Sequence, residues 1–228
     1  MRQSDQEDLI QQLLPIARVA GDAIMAVYSR GTPEVQLKED DSPVTEADLA
    51  AHRVLASRLK PLLPECPVVS EEDAGSLVHR QSRGRFWLID PLDGTKEFIA
   101  RNGEFTVNIA LIEDGRCVLG VVYAPAIDAL YWGGASLGAF RCMGGQTVAI
   151  KVAAAEAEGA CRVVASKSHL NETTRSLIDR LGEVSLVQAG SSLKFCRVAE
   201  GEADIYTRLA PTCEWDTAAA QAVLEGAG

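Results

Sequence analysis

Phe86-Trp87-Leu88-Ile89 is an unbroken apolar run that ends on Asp90-Pro91-Leu92-Asp93-Gly94-Thr95. A short apolar run with no alternation reads as a strand buried on both faces. Pro91 biases Asp90 toward an extended backbone, and Gly94 permits a tight turn from which a helix starts. Two carboxylates three residues apart therefore reach one pocket at the strand's end, with the Leu92 carbonyl between them as a third oxygen. Oxygen-only ligands favour a hard cation, and magnesium keeps waters that a substrate phosphate can replace. The amides of Gly94 and Thr95, at a helix N-terminus, favour an anion. Taken alone, Asp-Pro and Asp-Gly are ordinary turn residues. Three further segments shift the reading. Glu71-Glu72 follows the short strand Val68-Val69-Ser70, Asp216 opens a small-residue helix after Trp215, and Thr45-Glu46-Ala47-Asp48 stands at a helix start. Each puts an acid at the end of an element, where side chains converge at a sheet edge.

Periodicity supplies the rest of the frame. Leu9, Leu13, Ile16, Ala20, Ile24 and Val27 recur at helical spacing, with Ser4 and Glu7 in capping-box register and Pro15 expected to kink or split the helix. A second helix runs from about 48 to 63, with Thr45 and Asp48 both eligible as its N-cap. Thr106 to Tyr123 reads as a hairpin about Asp114-Gly115, setting Val107, Ile109 and Leu111 opposite Val118, Gly120 and Val122. Short strands follow near 130–132 and 139–141, with a Gly144-Gly145 turn. Strands at 162–165, 184–188 and 203–207 then alternate with helices at 172–181, 193–200 and 216–224. The expectation is a layered α/β fold, an alternating α-β-α-β-α sandwich. A soft boundary near 150 divides a metal-binding α+β part, 1–150, from a smaller α/β part, 151–228.

The formal charge of −10 argues against nucleic-acid binding, which usually needs a basic face. It also opposes an anionic metabolite, unless bound divalent cations invert the local charge. No long uncharged apolar run spans a bilayer, and Met1-Arg2-Gln3-Ser4-Asp5 lacks the features of a signal peptide, so a cytoplasmic address is expected. The six scattered cysteines form no CxxC pair and read as reduced thiols, mostly filling core positions. His52, His79 and His169 read as structural or exposed, and Trp215 as packing that fixes Asp216.

Asp90-Pro-Leu-Asp-Gly-Thr95, Ser70-Glu-Glu72, Val44-Thr-Glu-Ala-Asp48 and Glu214-Trp-Asp-Thr-Ala-Ala219 occur in the order seen in the inositol monophosphatase superfamily of lithium-sensitive, magnesium-dependent phosphatases, which the chain resembles over nearly its whole length. The resemblance implies two or three Mg2+ ions held by Glu71, Asp90, the Leu92 carbonyl, Asp93 and Asp216. It implies a catalytic set of Asp48, Thr95 and Glu71, with Thr95 hydrogen-bonded to Asp48 to orient and help deprotonate the attacking water. It also implies phosphate held at Gly94 and Thr95, direct in-line attack with no phosphoenzyme, and a monomer or homodimer. Some relatives associate peripherally with the inner face of the cell membrane.

Within the superfamily, Lys96-Glu97-Phe98 resembles the CysQ-type 3′(2′),5′-bisphosphate nucleotidases, which convert 3′-phosphoadenosine 5′-phosphate to AMP. So do Ala165-Ser166-Lys167-Ser168-His169, Gly190-Ser191-Ser192-Leu193-Lys194 and Glu214. A bisphosphate needs a second anion site, for which Lys167 and Lys194 are the candidates, with Lys96 and Ser191 beside them. Ser191-Ser192 reads equally as an N-cap pair. The alternatives are a phosphatase of inositol 1-phosphate or another sugar phosphate, and a catalytically silent metal- or nucleotide-binding module. Members of the superfamily continue beyond the Trp-Asp helix with further strands. This chain stops at Glu225-Gly226-Ala227-Gly228, which reads as a truncated or an incompletely recorded chain; a strand truly absent there would expose a sheet edge.

Overall fold

The computed structural model describes residues 2–31, 35–38, 43–81, 84–154, 160–166 and 171–228. Chain order is α1 (Gln3–Tyr28), β1 (Val35–Leu37), β2 (Pro43–Thr45), α2 (Glu46–Leu59), β3 (Val68–Ser70), β4 (Arg85–Asp93), α3 (Thr95–Ile99), β5 (Thr106–Glu113), β6 (Arg116–Ala124), β7 (Ala129–Gly134), β8 (Gly138–Met143) and β9 (Gln146–Ile150). It continues with β10 (Cys161–Ser166), α4 (Glu172–Asp179), β11 (Val184–Ala189), α5 (Leu193–Ala199), β12 (Ile205–Tyr206) and α6 (Glu214–Ala227).

Strands β3 to β9 form a seven-stranded sheet in sequence order, antiparallel except for the parallel β3–β4 edge pair. The pleat sends alternate side chains to opposite faces. Trp87, Ile89, Ile109, Leu111, Leu119 and Val121 join the buried cluster that contains the apolar face of α1 and α2. Phe86, Leu88, Ala110, Ile112 and Val122 join the second cluster, with α5 and α6. The central strands thus have the two buried faces expected of β4. A parallel three-stranded sheet, in the order β11-β10-β12, forms the next layer. The β10–α4–β11 and β11–α5–β12 crossovers run in opposite directions along this sheet. Right-handed connections therefore put α4 and α5 on opposite faces. With α5 packed on α6, the stacking is the expected α-β-α-β-α.

Several details differ from the sequence reading. Helix α1 begins at Gln3 with Arg2, not Ser4, at the N-cap; no side chain caps it, and Arg2 pairs with Asp5 instead. Pro15 does not split it: α1 runs through as one 26-residue element. Pro15 and Gln11 are both exposed, so the carbonyl that lacks its amide partner faces water. By length and composition α1 could cross a membrane. Here Leu9, Leu13, Ala17, Ala20 and Ile24 bury its apolar stripe against the sheet. The β5–β6 hairpin pairs Val107, Ile109 and Leu111 with Tyr123, Val121 and Leu119, one residue away from the expected partners, because a bulge intervenes at Leu111/Ile112. β1, β2, β9 and a 3-10 segment over Ala74–Gln81, which holds His79, were not anticipated. Of the six free cysteines only Cys66 and Cys196 are buried, and Cys213 is exposed.

Candidate active site

The β4 strand carries its motif through an irregularity. Asp90 pairs with Asn108 and Asp93 with Thr106, so three steps along β4 match two along β5. On a regular strand residues i and i+3 point to opposite faces; one extra residue brings them to the same side. Both carboxylates consequently line one cavity of ≈ 200 Å³. Asp90 is buried, and its Oδ1 accepts the Leu92 amide at 3.0 Å. Gly94 then takes a left-handed φ of 91°, which a side chain resists, and Thr95 opens α3.

Asp48 sits behind this turn. Thr45 is the N-cap of α2, and Asp48 completes a capping box at N3. Asp48 Oδ2 accepts the Thr45 amide at 2.7 Å and its hydroxyl at 2.6 Å, while Oδ1 accepts the Thr95 hydroxyl at 3.1 Å. Burial raises the Asp48 pKa, and these hydrogen bonds oppose the rise. Thr95 Oγ1 also lies 3.4 Å from the Leu92 carbonyl, so its hydroxyl proton is held between two acceptors.

Glu71 leaves the end of β3, where β3 pairs with β4 in parallel, and Asp216 enters at N3 of α6. Asp216 Oδ2 accepts Thr212 Oγ1 at 2.7 Å and the Cys213 amide at 3.1 Å. Trp215 packs against the second buried cluster, as the packing reading expects. Carboxylate oxygens of Glu71, Asp90 and Asp216 all lie within 4.8 Å of one another. That span is near the ~4 Å between opposed ligands on an ion with bonds of about 2.0–2.1 Å. Burial raises the pKa of Glu71 and, far more, of Asp90, and the neighbouring acids add to both. Such a cluster is costly without a cation. Its all-oxygen donors fit a hard divalent ion such as Mg2+.

Asp93 lines the same cavity but is held by other partners. Its Oδ2 accepts the Ser192 amide at 2.6 Å and Asn108 Nδ2 at 3.4 Å. Burial pushes its pKa up to about 7 against the opposing pull of Lys194. Ser191 holds a strained φ of 43° just before that amide. Ser192 occupies the N-cap of α5, but its hydroxyl makes no cap bond; it reaches Thr106 and Asn108, both at 2.8 Å. Lys194 is 5% exposed, with Nζ 5.7 Å from the centre of the Tyr206 ring. Burial lowers its pKa, partly offset by Asp93.

Every expected site residue within the described residues except Asp48 lines this cavity, and Asp48 touches it through Thr95. Lys167 and His169 lie outside the described residues. Arg208 and Glu97 line the same cavity and were missed. Lys38 was missed as well; its Nζ lies 2.7 Å from both Glu71 and Glu72. Lys38 stands in the charged run Lys38-Glu39-Asp40-Asp41, which reads as solvated surface, and Arg208 stands in no motif.

Residues 5–228 match the family described as the inositol monophosphatase family. The chain belongs to that family. Among the relatives of this inositol monophosphatase family member, the 3′(2′),5′-bisphosphate nucleotidase CysQ of Salmonella typhimurium is 50% identical over 221 residues, 96% of this chain and 88% of that protein. The crystal structure of CysQ from Bacteroides thetaiotaomicron superposes with a TM-score of 0.78 at 38% identity, covering 95% of this chain and 87% of that one. An IMPase of Thermotoga maritima gives a TM-score of 0.80 at 26% identity, over 97% and 84%.

Proposed function

We propose that this chain is a magnesium-dependent phosphomonoesterase that converts 3′-phosphoadenosine 5′-phosphate to AMP and phosphate. The observation that carries the reading is one cavity lined both by the acid cluster and by three cations, Lys96 beside the Gly94-Thr95 turn and, further on, Lys194 and Arg208. The acids with bound metal suit one phosphate. Two further cations at the same cavity suit a second. The Salmonella and Bacteroides relatives, named for a bisphosphate nucleotidase and for CysQ, support the same choice.

Glu71, Asp90 and Asp216 would share one Mg2+, with the Leu92 carbonyl and Asp93 available to a further ion. Bound there, Mg2+ supplies Lewis acidity that neutralises phosphoryl charge and lowers the pKa of water. The protein's own part is orientation and proton transfer. With its proton committed to Asp48, Thr95 Oγ1 presents lone pairs to the attacking water. A water proton passes to Thr95 as the Thr95 proton passes to Asp48 Oδ1, so Asp48 is the final base. Burial of Asp48 makes it a stronger base than an exposed carboxylate. Gly94 and Thr95 flank the phosphate being cleaved, with Lys96 and Ser191 at its edge. Lys194, almost fully buried, requires an anion more than a solvated lysine does.

The test compares phosphate release from 3′-phosphoadenosine 5′-phosphate and inositol 1-phosphate, each with Mg2+ and with EDTA. Magnesium-dependent preference for the nucleotide is expected. Preference for inositol 1-phosphate would overturn the substrate while keeping the metal chemistry. Release from neither, with Mg2+ still bound, would identify a silent binding module.

A further inference from the structure

Lys38 follows the exposed strand β1 and reaches into the acid cluster. Its ammonium lies 2.7 Å from Glu71 Oε1 and 2.7 Å from Glu72 Oε1. Only 21% of its side chain is exposed, against 24% for Glu71 and 4% for Glu72. Glu71 is one of the three acids whose oxygens converge within 4.8 Å, whereas Glu72 is not. Lys38 thus stands with one partner inside the cluster and one outside it. A protonated amine and a divalent ion on the same half-buried carboxylate repel each other strongly.

We propose that Lys38 is a built-in counter-cation, whose ammonium neutralises Glu71 in the metal-free protein and withdraws from it onto Glu72 when a divalent ion binds. The proposal rests on the metal reading given above. Glu72, buried next to Glu71 but outside the cluster, keeps the withdrawn ammonium paired, so no charge is stranded. Burial pulls the Lys38 pKa down, but the two glutamates outweigh it and hold the amine protonated. The arrangement limits the repulsion among the acids while no metal is bound, and it weakens metal affinity by whatever the ion must displace.

Two measurements test this. Calorimetric Mg2+ titration compares the wild-type chain with Lys38→Met. Loss of the competing ammonium is expected to tighten binding by about tenfold, the weight of one charge-assisted hydrogen bond. Acetylation footprinting of the wild-type chain by mass spectrometry follows Lys38, with the exposed Lys60 as internal reference. Lys38 is expected to label slowly without metal and faster with Mg2+, while Lys60 does not change. Equal or weaker Mg2+ binding by Lys38→Met overturns the proposal. Tighter binding with Lys38 labelling unmoved by Mg2+ also overturns it, since charge repulsion alone explains that pair of results. Failure of the wild-type chain to bind Mg2+ removes the metal reading and this inference together. The labelling uses the unmodified chain, so it decides even if Lys38→Met does not fold.

Discussion

Asp48 serves two elements through its two oxygens: Oδ2 closes the capping box of α2, and Oδ1 holds Thr95. Asp48→Asn keeps an acceptor but cannot take the proton, so turnover is expected to fall by about 10²–10⁴. Thr95→Val should lose a similar factor and Thr95→Ser should keep most activity. Neither Thr95 variant should change the rise in Tm caused by Mg2+. A Thr95→Val enzyme with normal kcat would remove this pair from the reaction. Asp90 supports a different prediction. Its buried carboxylate is opposed by Glu71, Asp93 and Asp216. Asp90→Asn relieves that repulsion and retains an acceptor for the Leu92 amide. Melting in EDTA is expected at a higher temperature than wild type, with the Mg2+-induced rise reduced and activity lost. A lower Tm in EDTA would show that repulsion does not dominate at this position. The acids at element ends were legible in the sequence because Asp-Pro-Leu-Asp-Gly-Thr combines strand termination, turn and helix start in one segment. Lys38 and Arg208 were not, because a lone cation, whether in a charged run or among apolar residues, carries no periodic signal and gains meaning only from what the fold sets against it.

At the scale of elements, the site depends on how closely α6 approaches the sheet. Ala218, Ala219, Ala220 and Ala222 give α6 a shallow buried face. A Cβ at Gly120 in β6 would overlap the Ala219 carbonyl, so the helix rests directly on that strand's backbone. Gly120→Ala must push α6 away, and a destabilisation of roughly 1–3 kcal/mol or more is expected by urea denaturation. Because α6 carries Asp216, weaker Mg2+ binding should accompany the loss of stability. Full stability in Gly120→Ala would mean that the helix can shift without penalty. The hairpin shows why this contact was hidden. Its Asp-Gly turn was plain in the sequence, and Glu113 does pair with Arg116. The bulge then moves the register by one, and a one-residue shift exchanges the faces of every side chain beyond it. No local composition marks that bulge. It becomes necessary only because Val121 and Tyr123 fit the α1 side while Gly120 and Val122 fit the α6 side.

For the molecule as a whole, stability rests on covering the large sheet from both sides, and Tyr123 reports on the α1 side. It lies in β6, with Arg18 of α1 5.3 Å from its ring centre and its hydroxyl 3.1 Å from Asp128. Arg18 also pairs with Asp128 at 2.6 Å, so helix, strand and turn share one polar contact at the edge of an apolar interface. The alternation of helices and strands made the layering legible from the sequence; this joint was not, because its members are 105 and 5 residues apart and none belongs to a pattern. Burial, reinforced by the negative charge of Asp128, pushes the Tyr123 phenol up to about 12, whereas in the unfolded chain it ionises near 10. The folded state therefore holds this proton more tightly. The stability it contributes is fully present below pH ~10 and is lost as pH rises through about 12. At roughly 1.4 kcal/mol per unit, the loss reaches about 3 kcal/mol at most. In Tyr123→Phe there is no proton to lose. Urea denaturation at pH 8 should find the variant less stable by about 1 kcal/mol, for the missing hydrogen bond. By pH 11 to 12 that difference should shrink and then reverse, because only the wild-type chain loses stability from this tyrosine. Parallel stability curves for the two proteins across that range would show that the phenol ionises equally easily in both states, and that Asp128 and burial do not protect it.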